Sequence, residues 1–354
     1  MASALNSAQV RSLACECGFD LAGITSTDPV GEAGYFQEWL AQGYAGEMGY
    51  LKGRRAQMRG DVRTLLPSAR STLCLGLVYN APLPYSTQWS DLERGWISRY
   101  AWGDDYHDIL RIKMQRLVER LRAIEPFEWK ICVDTSPVLE RALAQRAGLG
   151  WIGHNTCLIN QKMGSWVFLA EILTSLDLEP DSPAPFRCGT CRRCIEACPT
   201  QAIVPTHRPD GPAYALDSRL CISYWTIELR GAVPAQHRQL AGNHVFGCDI
   251  CQDVCPWNRR AATTRDPAFS PRWPDQPPPL ERLASITEEQ FDAMFASSPI
   301  HRARYSGFLR NVAIAMGNSG DPKFREPLQS LAEHADPLVR EHAVWALGKL
   351  PTIQ

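Results

Sequence analysis

Apolar residues in the first half of the chain follow two different spacings. A helical spacing over residues 8–17 and 107–124 predicts amphipathic helices. Short apolar runs at residues 129–133 and 166–173 predict buried strands instead. Because helices alternate with strands, we predict an α/β layer domain over residues 1–180.

Two proline-rich segments predict where further domains begin. The sequence DSPAP occupies residues 181–185, and PRWPDQPPPL occupies residues 271–280. Clustered prolines are typical of connecting segments, because proline interrupts both helices and sheets. We therefore predict a second domain over residues 181–262 and a third over residues 280–354.

The third domain contains a repeated pattern. The segment RNVAIAMG at residues 310–317 resembles EHAVWALG at residues 341–348. Small residues on one face let paired helices pack closely, as in stacked HEAT-like repeats. Two copies are few for a repeat protein, so an ordinary helical bundle remains the alternative.

The composition is that of an ordinary globular protein. The chain has 354 residues, of which 45% are hydrophobic and 21% charged, and its formal net charge is -1. This excludes a disordered chain and a globally basic nucleic-acid binder. The N-terminus lacks the basic and apolar regions of an export signal, and no apolar run reaches the about 18 residues of a membrane span. We expect a cytoplasmic protein that does not contact a membrane.

The cysteines carry the strongest chemical signal. Thirteen are present, and a reducing cytoplasm favours metal ligation over disulfide bonds. Four cysteines in the middle of the chain have the spacing C-x2-C-x2-C-x3-C of bacterial ferredoxins, and a proline follows the last of them. They are Cys188, Cys191, Cys194 and Cys198. A second group repeats this pattern with one thiolate missing, which Cys221 can supply: Cys248, Cys251 and Cys255.

These eight thiolates are enough for two 4Fe-4S clusters. In two-cluster ferredoxins the last cysteine of a run ligates the other cluster. We therefore assign the first cluster to Cys188, Cys191, Cys194 and Cys255, and the second to Cys198, Cys221, Cys248 and Cys251. Structural zinc is the alternative, but it needs only four ligands and does not explain a third cysteine three residues on. We expect buried, inert thiols at Cys15, Cys17, Cys74, Cys132 and Cys157.

Asp134 follows the predicted strand at residues 129–133, at the end where α/β folds place ligands. Desolvation beside apolar neighbours would keep its carboxyl protonated at neutral pH, so that it could serve as an acid. The alternative is a helix N-cap, because Ser136 and Pro137 are typical of the start of a helix.

Glycines punctuate the segment that follows. Gly148, Gly150 and Gly153 indicate a loop in which the backbone approaches another group closely. We expect Gly153, His154 and Asn155 to contact the edge of a cofactor.

The third domain is locally cationic. Between residues 299 and 325 one acid, Asp321, accompanies five cations: Arg302, Arg304, Arg310, Lys323 and Arg325. More positive charge lies beside the first cysteine run, at Arg187, Arg192 and Arg193. Such clusters are usually a solvated surface, but they neutralise a nucleic-acid backbone when the substrate carries phosphates.

Several blocks together resemble the epoxyqueuosine reductase family of cobalamin-dependent iron-sulfur enzymes, which complete queuosine synthesis in transfer RNA. The blocks are YAWGDDYHDIL from residue 100, VDTSPVLERALAQRAGLGWIGHNT from residue 133, GSWVFLAEI from residue 164, the first cysteine run, CISYWTIELRG from residue 221 and GCDICQDVCPWN from residue 247. They cover nearly the whole chain, and only the cysteine runs are shared with ferredoxins at large.

The resemblance implies an α/β cobalamin-binding domain over residues 1–180, a ferredoxin-like domain with two 4Fe-4S clusters over residues 181–262 and HEAT-like helical repeats over residues 280–354. It implies that cobalamin binds base-off and that Asp134 is the proton donor. It also implies that the cobalamin pocket is shaped by Arg59, Tyr106, Asn155 and Ser165. His154 departs from the family, in which lysine is more usual at this position.

The implied reaction reduces epoxyqueuosine at the wobble position of a transfer RNA anticodon stem-loop, with the modified base splayed out. Co(I) would attack the epoxide carbon or transfer electrons to it, while Asp134 protonates the opening oxygen. A low-potential electron donor of unknown identity would supply the clusters. We expect the chain to act as a monomer.

One further motif bears on the cobalt. The sequence DYHDIL from residue 105 superficially matches the D-x-H-x-x-G motif of cobalt-ligating histidines, but Leu110 replaces the glycine. We therefore do not expect His107 to be a lower axial ligand, and cobalt without one is easier to reduce. Two alternatives remain: a corrinoid iron-sulfur reductive dehalogenase that acts on a small molecule, and a nucleic-acid-binding protein with structural clusters.

Overall fold

The computed structural model describes residues 4–207, 213–273 and 275–351. Its strands are β1 (Leu21–Ser26), β2 (Ser71–Val78), β3 (Trp96–Ile97), β4 (Trp129–Cys132), β5 (Trp151–Ile152), β6 (Leu158–Ile159), β7 (Val167–Thr174), β8 (Ile203–Pro205), β9 (Tyr214–Leu216) and β10 (His244–Phe246). Its α-helices are α1 (Ser7–Glu16), α2 (Glu32–Ala41), α3 (Arg54–Met58), α4 (Tyr106–Arg122), α5 (Glu140–Arg146), α6 (Arg193–Ala197), α7 (Ala235–Arg238), α8 (Ile250–Asp253), α9 (Leu280–Ala284), α10 (Glu288–Phe295), α11 (Tyr305–Ser319), α12 (Arg325–Ala332) and α13 (Pro337–Leu347).

A four-stranded sheet in the order β1-β2-β7-β4 forms the centre of the N-terminal part, and each neighbouring pair is antiparallel. All eight residues of β2 are buried, because helices cover both faces of the sheet. A strand that is buried on both faces is expected to be apolar throughout rather than alternating, and β2 reads STLCLGLV.

The two faces of this sheet have separate cores. On one face, α1 and α4 pack Val10, Leu110 and Met114 against Leu73 and Leu75 of β2. On the opposite face, α5 packs Ala142, Leu143 and Ala144 against the sheet. The strand residues in this core include Cys74 of β2, Cys132 of β4 and Leu173 of β7. The predicted α/β layer fold is therefore confirmed.

Each of the four elements predicted in the N-terminal part forms near its expected position. The helices predicted at residues 8–17 and 107–124 are α1 and α4, and the strands predicted at residues 129–133 and 166–173 are β4 and β7. Asn6 caps α1 through its side chain, and Asp105 caps α4 in the same way. Such caps satisfy backbone N–H groups that have no partner within the helix.

The cysteine-rich segment consists of short elements held between the sheet and the C-terminal helices. Its helices α6 and α8 pack against each other, and β10 pairs in parallel with β3 of the N-terminal part. Residues from three regions share one core, which includes Trp96, Trp102, Phe246, Phe291 and Phe308. The parts of the chain are thus packed together rather than joined by long linkers.

The repeated pattern falls on two helices that touch. RNVAIAMG belongs to α11 and EHAVWALG to α13. A Cβ atom on Gly317 of α11 would come within 2.7 Å of the Cβ atom of Ala346 on α13, so the small residues permit a close helix contact. The HEAT-like arrangement is confirmed. Residues 274 and 352–354 of the proline-rich segment and the tail lie outside the described residues.

In the described part of the chain, no helix combines the length and the apolar character that crossing a membrane requires.

Candidate active site

A cavity of about 360 Å³ opens beside α5 and brings together four regions of the chain. Its wall includes Tyr35, Phe36 and Trp39 of α2, Arg59 after α3, the segment from Asp134 to Ala142, and Tyr214 and Leu216 of β9. None of the ten residues of α2 is buried, so its aromatic side chains face the cavity instead of a core. Ligand pockets typically have this size and this mixture of apolar walls with few polar groups.

Asp134 lies at the edge of this cavity in an unusual backbone conformation. Its φ angle is +38°, in the left-handed region that residues other than glycine adopt at a cost. Its carboxylate contacts two cations: Oδ2 lies 3.3 Å from Nε2 of His107 and 3.4 Å from Nη1 of Arg302. The N-cap alternative is wrong, because α5 begins only at Glu140 and its N-cap residue is Leu139.

The charge state of Asp134 differs from the expectation. Burial alone would raise the pKa of its carboxyl, but the hydrogen bond from His107 and the positive charges of Arg302 and His107 outweigh it. The net result is a lowered pKa, so the carboxyl is ionised at neutral pH rather than held protonated by desolvation. In this site the proton resides on neighbouring groups.

His107 is one of those neighbours. It is the second residue of α4, and its ring lies between two carboxylates: Nδ1 is 2.8 Å from Oδ1 of Asp105, and Nε2 faces Asp134. Burial disfavours the imidazolium, but hydrogen bonds to Asp105 and Asp134 raise the pKa of His107 to about 9. The ring is therefore protonated at neutral pH, with Asp105 orienting it toward Asp134.

Glu140 is the second proton-holding neighbour. Its Oε1 accepts a hydrogen bond of 2.5 Å from the backbone N–H of Asp134, and its side chain lines the cavity. Burial and the nearby charge of Asp134 raise the pKa of Glu140 to about 8, so it is a neutral acid at neutral pH. Farther inside, Glu171 of β7 is fully buried, and its carboxyl oxygens have no hydrogen-bond partner among the residues that the structure describes. Burial raises its pKa as well.

Arg302 reaches the site from the C-terminal part of the chain. Besides Asp134, its guanidinium contacts Glu228 at 2.8 Å and donates to the Tyr50 hydroxyl at 3.1 Å. Glu228 ends a π-helical turn, Tyr224–Glu228. The C-terminal part therefore contributes directly to the wall around Asp134.

The five cations between residues 299 and 325 do not form one exposed basic surface. Arg310 is 1% exposed, and its guanidinium donates to the backbone carbonyls of Trp225, Leu229 and Gly231. Lys323 pairs with Glu93, and Arg325 donates to the carbonyl of Pro351 at 2.6 Å. Of these five cations, Arg304 is the one that is exposed and has no ion-pair partner among the described residues.

The four residues that the resemblance assigns to the cobalamin pocket lie in different surroundings. Arg59 lines the cavity, where its Nη1 donates to the carbonyl of Val138 at 2.9 Å. Tyr106 stacks on Phe168 with ring centroids 4.3 Å apart. Asn155 and Ser165 do not line the cavity but contact the cysteine-rich segment, as the next paragraphs describe.

The segment between β5 and β6 separates the cavity from the cysteines. Ile152 and Thr156 line the cavity, whereas His154 and Asn155 point the other way. His154 Nδ1 lies 2.9 Å from the carbonyl of Cys191, and the Asn155 amide donates to the carbonyl of Cys251 at 3.3 Å. The two side chains therefore hold one cysteine loop each.

The glycines of this segment serve its own packing. A Cβ atom on Gly150 would come within 2.2 Å of the carbonyl oxygen of Ile159, and one on Gly153 within 2.4 Å of its side chain. Ser165 lies beyond the hairpin, where its hydroxyl accepts hydrogen bonds from Gln252 at 3.0 Å and Asn258 at 2.9 Å. It thereby links β7 to the second cysteine run.

Three thiols surround Cys194 and form a set of four with it. Burial and the adjacent thiols of Cys255, Cys188 and Cys191 raise the pKa of Cys194 to about 12. Trp151 packs in the same apolar group as Cys255 and Cys188, and its indole N–H points at the sulfur of Cys188 over 3.4 Å. Thiols that raise one another's pKa lose their protons only when a cation compensates the charge, which is what cluster iron does.

A second set of four thiols forms on the other side. Burial raises the pKa of the Cys248 thiol, and the neighbouring Cys221, Asp249 and Cys198 raise it further. Cys157, Cys248 and Cys221 lie near Cys251. Cys221 thus lies with the run at residues 248–255, as expected. Among the described residues, no group of three histidine, cysteine or acidic side chains lies close enough together to hold a single metal ion.

Sequence reasoning missed three residues of the Asp134 site. The sequence indicates only that His107 is not a cobalt ligand, places Arg302 in a group that is either a solvated surface or a phosphate-binding one, and gives Glu140 no role. The motif DYHDIL places an aspartate two residues before His107, which is a signal for an oriented histidine. No local signal connects Arg302 or Glu140 to Asp134, because the contacts arise from tertiary packing.

Three family models match separate segments of the chain. Residues 59–135 match Epoxyqueuosine reductase QueG, DUF1730. Residues 187–258 match the 4Fe-4S double cluster binding domain, and residues 305–354 match HEAT repeats. The second match covers the two sets of thiols, so the segment is a two-cluster 4Fe-4S domain.

Curated relatives match over nearly the whole chain. The epoxyqueuosine reductase of Xanthomonas campestris pv. campestris is 41% identical over 347 residues, which are 97% of this chain and 95% of that protein. The epoxyqueuosine reductase of Escherichia coli K12 is 38% identical over 345 residues, with 96% and 88% covered.

Solved structures match equally well. One is an epoxyqueuosine reductase with a tRNA-Tyr epoxyqueuosine-modified stem loop, which is 30% identical with a TM-score of 0.86 and covers 97% of this chain and 89% of its own. Another is the Bacillus subtilis enzyme with the Asp134 catalytic loop of that protein swung out of the active site, at 30% identity, a TM-score of 0.84 and the same coverage.

The cavity, the paired thiol sets and these matches agree on one family. An enzyme of this family is an oxidoreductase, so neither the dehalogenase alternative nor a purely structural role for the clusters is needed. This chain belongs to the epoxyqueuosine reductase family and reduces epoxyqueuosine with a 4Fe-4S double cluster domain.

Proposed function

We propose that this chain reduces epoxyqueuosine at the wobble position of a transfer RNA, as a cytoplasmic monomer, with electrons that pass from two 4Fe-4S clusters to a base-off cobalamin. The observation that carries the proposal is the position of Asp134. It lies at the mouth of an apolar-walled cavity, between a protonated histidine and an arginine. Removal of an epoxide oxygen as water needs two electrons and two protons, and this site holds two protons at neutral pH.

The first proton comes from the pair of His107 and Asp134. Because Nδ1 of His107 is fixed by Asp105, its Nε2 proton faces Oδ2 of Asp134. As negative charge develops on the opening oxygen, the proton on His107 passes through Asp134 to that oxygen. Until then, the ion pair with Arg302 keeps Asp134 ionised. The positive φ of Asp134 is a strained backbone conformation, and such strain is concentrated at functional sites.

The second proton comes from Glu140. Its carboxyl is neutral below pH 8 and lies against the backbone of Asp134 in the cavity wall. After the first transfer leaves a hydroxyl group on the substrate, protonation by Glu140 converts that hydroxyl into a water leaving group. With a pKa of about 8, the Glu140 carboxyl is protonated at neutral pH and is still acidic enough to donate its proton.

The cluster ligands follow the two thiol sets. We assign Cys188, Cys191, Cys194 and Cys255 to one 4Fe-4S cluster and Cys198, Cys221, Cys248 and Cys251 to the other. The proximity of Cys255 to the first set, and of Cys198 to the second, supports the exchange of last ligands that two-cluster ferredoxins use.

The chemistry of the cavity walls supports cobalamin as the cofactor. When bound, it would supply a strongly reducing cobalt centre next to the epoxide. The aromatic residues of α2 and Leu139 would pack against the corrin ring, and Arg59 and Thr156 would bind its polar edge. The imidazole of His107 is engaged by two carboxylates, which supports its exclusion as an axial ligand.

The substrate is a transfer RNA anticodon stem-loop. A structural relative binds an epoxyqueuosine-modified stem loop, and in this chain Arg230 and Arg304 are exposed close to Arg302 at the active site. Arginines near the reacting group would contact phosphates of the loop and leave the base free to enter the cavity. We keep residues 1–180, 181–262 and 280–354 as the domain boundaries of this proposal.

The variant Asp134→Asn tests the proposal. Asparagine has nearly the same shape but cannot pass on a proton, so turnover of a stem-loop bearing the epoxide should fall by about 10²-fold or more. Iron and cobalamin content should stay at the level of the unmodified protein. Turnover within a factor of two of that protein would remove Asp134 from proton transfer.

A further inference from the structure

Exposed arginines without ion-pair partners surround the first set of thiols. Arg187 and Arg193 each precede a cysteine of this set, and Arg259 and Arg260 follow Cys255. All four are exposed, and none of them pairs with an acid in the described residues. Arg192 differs, because it lies 3.7 Å from Glu196. The formal net charge of the whole chain is only -1, so this positive surface is a local feature.

Two of these arginines frame a depression in the surface. It is lined by Arg193, Glu196, Ala197, Asp253, Val254 and Arg259. Neither acid cancels their charge: Glu196 faces Arg192, and Asp253 is 6% exposed and accepts hydrogen bonds from Ser86 and the backbone of Thr87. The depression shares no residue with the cavity at Asp134.

The depression lies beside two helices that carry cysteines. Arg193, Glu196 and Ala197 belong to α6, which contains Cys194, and Asp253 belongs to α8, which contains Cys251. These two helices pack together, and Val254 and Arg259 follow α8 in the chain. Cys188, Cys191 and Cys194 are only half-buried. Electron transfer between proteins slows steeply with distance, so a partner seated here would be close to the first cluster.

An exposed apolar residue adjoins these arginines in the chain. Phe186, immediately before Arg187, is 55% exposed. A small apolar contact inside a ring of charge is typical of transient electron-transfer complexes, whose interfaces are small and whose association is steered by opposite charge.

We propose that the surface formed by Phe186, Arg187, Arg193, Arg259 and Arg260 docks a small acidic one-electron carrier protein. The carrier passes one electron to the first cluster, which is reduced by one charge while the carrier is oxidised by one, and no proton or bond is exchanged. Two such encounters supply the two electrons of one turnover. This inference deepens the proposed function by naming where electrons enter.

The test measures cluster reduction alone, without transfer RNA or cobalamin. Photoreduced flavodoxin, an acidic flavoprotein, is mixed with the iron-sulfur protein in a stopped-flow instrument, and bleaching of the cluster absorbance is followed. The double variant Arg193→Glu/Arg259→Glu should lower the second-order rate constant at least tenfold at low ionic strength, because steering becomes repulsion. The salt dependence should weaken or invert.

The matched control is Arg116→Glu/Arg122→Glu, which makes the same charge change on exposed positions of α4. It should keep the flavodoxin rate within twofold. Reduction by a photoreduced deazaflavin, which needs no docking surface, should be equal in all three proteins. An unchanged flavodoxin rate in the docking variant would overturn the inference, and so would an equal loss in the control.

A third outcome distinguishes an RNA surface. If the docking variant loses affinity for the stem-loop while its flavodoxin rate stays unchanged, the arginines bind RNA and the inference is wrong. Because cluster reduction is measured without substrate, a failure here leaves the proposed reaction untouched.

Discussion

The guanidinium of Arg302 lies 3.4 Å from the carboxylate of Asp134, although 168 residues separate the two in the chain. The contact means that the C-terminal part of the protein completes the site around Asp134. A charge that appears from sequence to be available for nucleic acid is instead used to fix the ionisation state of a carboxyl group.

Replacing Arg302 by glutamine should therefore affect turnover more than stem-loop binding. The substitution leaves Asp134 and Glu228 without their shared cation, a loss of charge-assisted hydrogen bonds worth about 1.5–3 kcal/mol. We expect kcat to fall roughly tenfold to a hundredfold. The control is Lys323→Gln, since Lys323 is exposed and pairs with Glu93 away from the site. Equal losses of stem-loop affinity in both variants, with kcat preserved, would instead indicate a basic RNA-binding surface that includes Arg302 and Lys323.

His107→Asn should stop proton supply to Asp134 while preserving the fold. The imidazole is the group that faces Asp134 with a proton, and asparagine does not titrate near neutral pH. Single-turnover rates should fall by about 10²-fold or more, with unchanged iron content and circular dichroism. A rate close to that of the unmodified protein would show that Asp134 obtains its proton elsewhere.

The pH dependence of kcat should have an alkaline limb with two steps. The active forms are the protonated ones: Glu140 loses its proton as the pH rises through about 8, and His107 as it rises through about 9. Activity should therefore be lost with increasing pH over this range and retained below it. In Glu140→Gln, which can still accept the hydrogen bond from Asp134, the plateau should drop and the step near pH 8 should disappear. A profile with both steps in that variant would exclude Glu140.

Local patterns predicted much of the fold, because they depend on neighbours in sequence. The apolar spacings located α1, α4, β4 and β7. The assignment of the eight cysteines to two clusters, including Cys221, stays a prediction. The prediction of a basic surface is wrong for Arg310, because a count of charges along the sequence does not show that this residue lies in a buried helix. The residues of α11 from Gly307 to Gly317 are all buried, and a helix that is apolar on every side is expected to bury its arginine as well.

The site itself was predictable only in part. Asp134 stands out because it follows a buried strand, but its ionisation depends on Arg302 and His107, which come from other elements. Desolvation is the largest single influence on the pKa of Asp134, as predicted, but the opposing contacts together lower that pKa. Such sums require the positions of distant charges, which a sequence does not contain.

Arg310→Met should destabilise the whole fold. The guanidinium satisfies three backbone carbonyls in a buried position, and each buried acceptor left without a donor costs about 1–3 kcal/mol. We expect the thermal midpoint of the cluster-loaded protein to drop by several degrees. Arg304→Met, at an exposed position of the same segment, should leave the midpoint nearly unchanged. Equal midpoints for the two variants would contradict the structural role of Arg310.

Trp151→Phe should make the first cluster harder to reduce. The indole N–H of Trp151 points at the sulfur of Cys188, and hydrogen bonds to cluster sulfurs stabilise the more negative, reduced state. Phenylalanine keeps the ring but removes this donor, so the midpoint potential from an EPR-monitored titration should become more negative. Trp257→Phe is the control, because Trp257 packs edge-on against Trp151 at 5.0 Å without donating to a cysteine sulfur in the described residues. Identical potentials in Trp151→Phe and the unmodified protein would refute the assignment.

We propose that electrons pass from the iron-sulfur clusters to cobalamin in the Asp134 cavity. Nucleoside mass analysis after anaerobic reconstitution tests this most directly. The protein is loaded with iron and sulfide, with or without cobalamin, reduced, and incubated with a stem-loop that carries epoxyqueuosine. We predict a product lighter by one oxygen atom only when cobalamin is present. The same yield of that product in its absence would contradict the account.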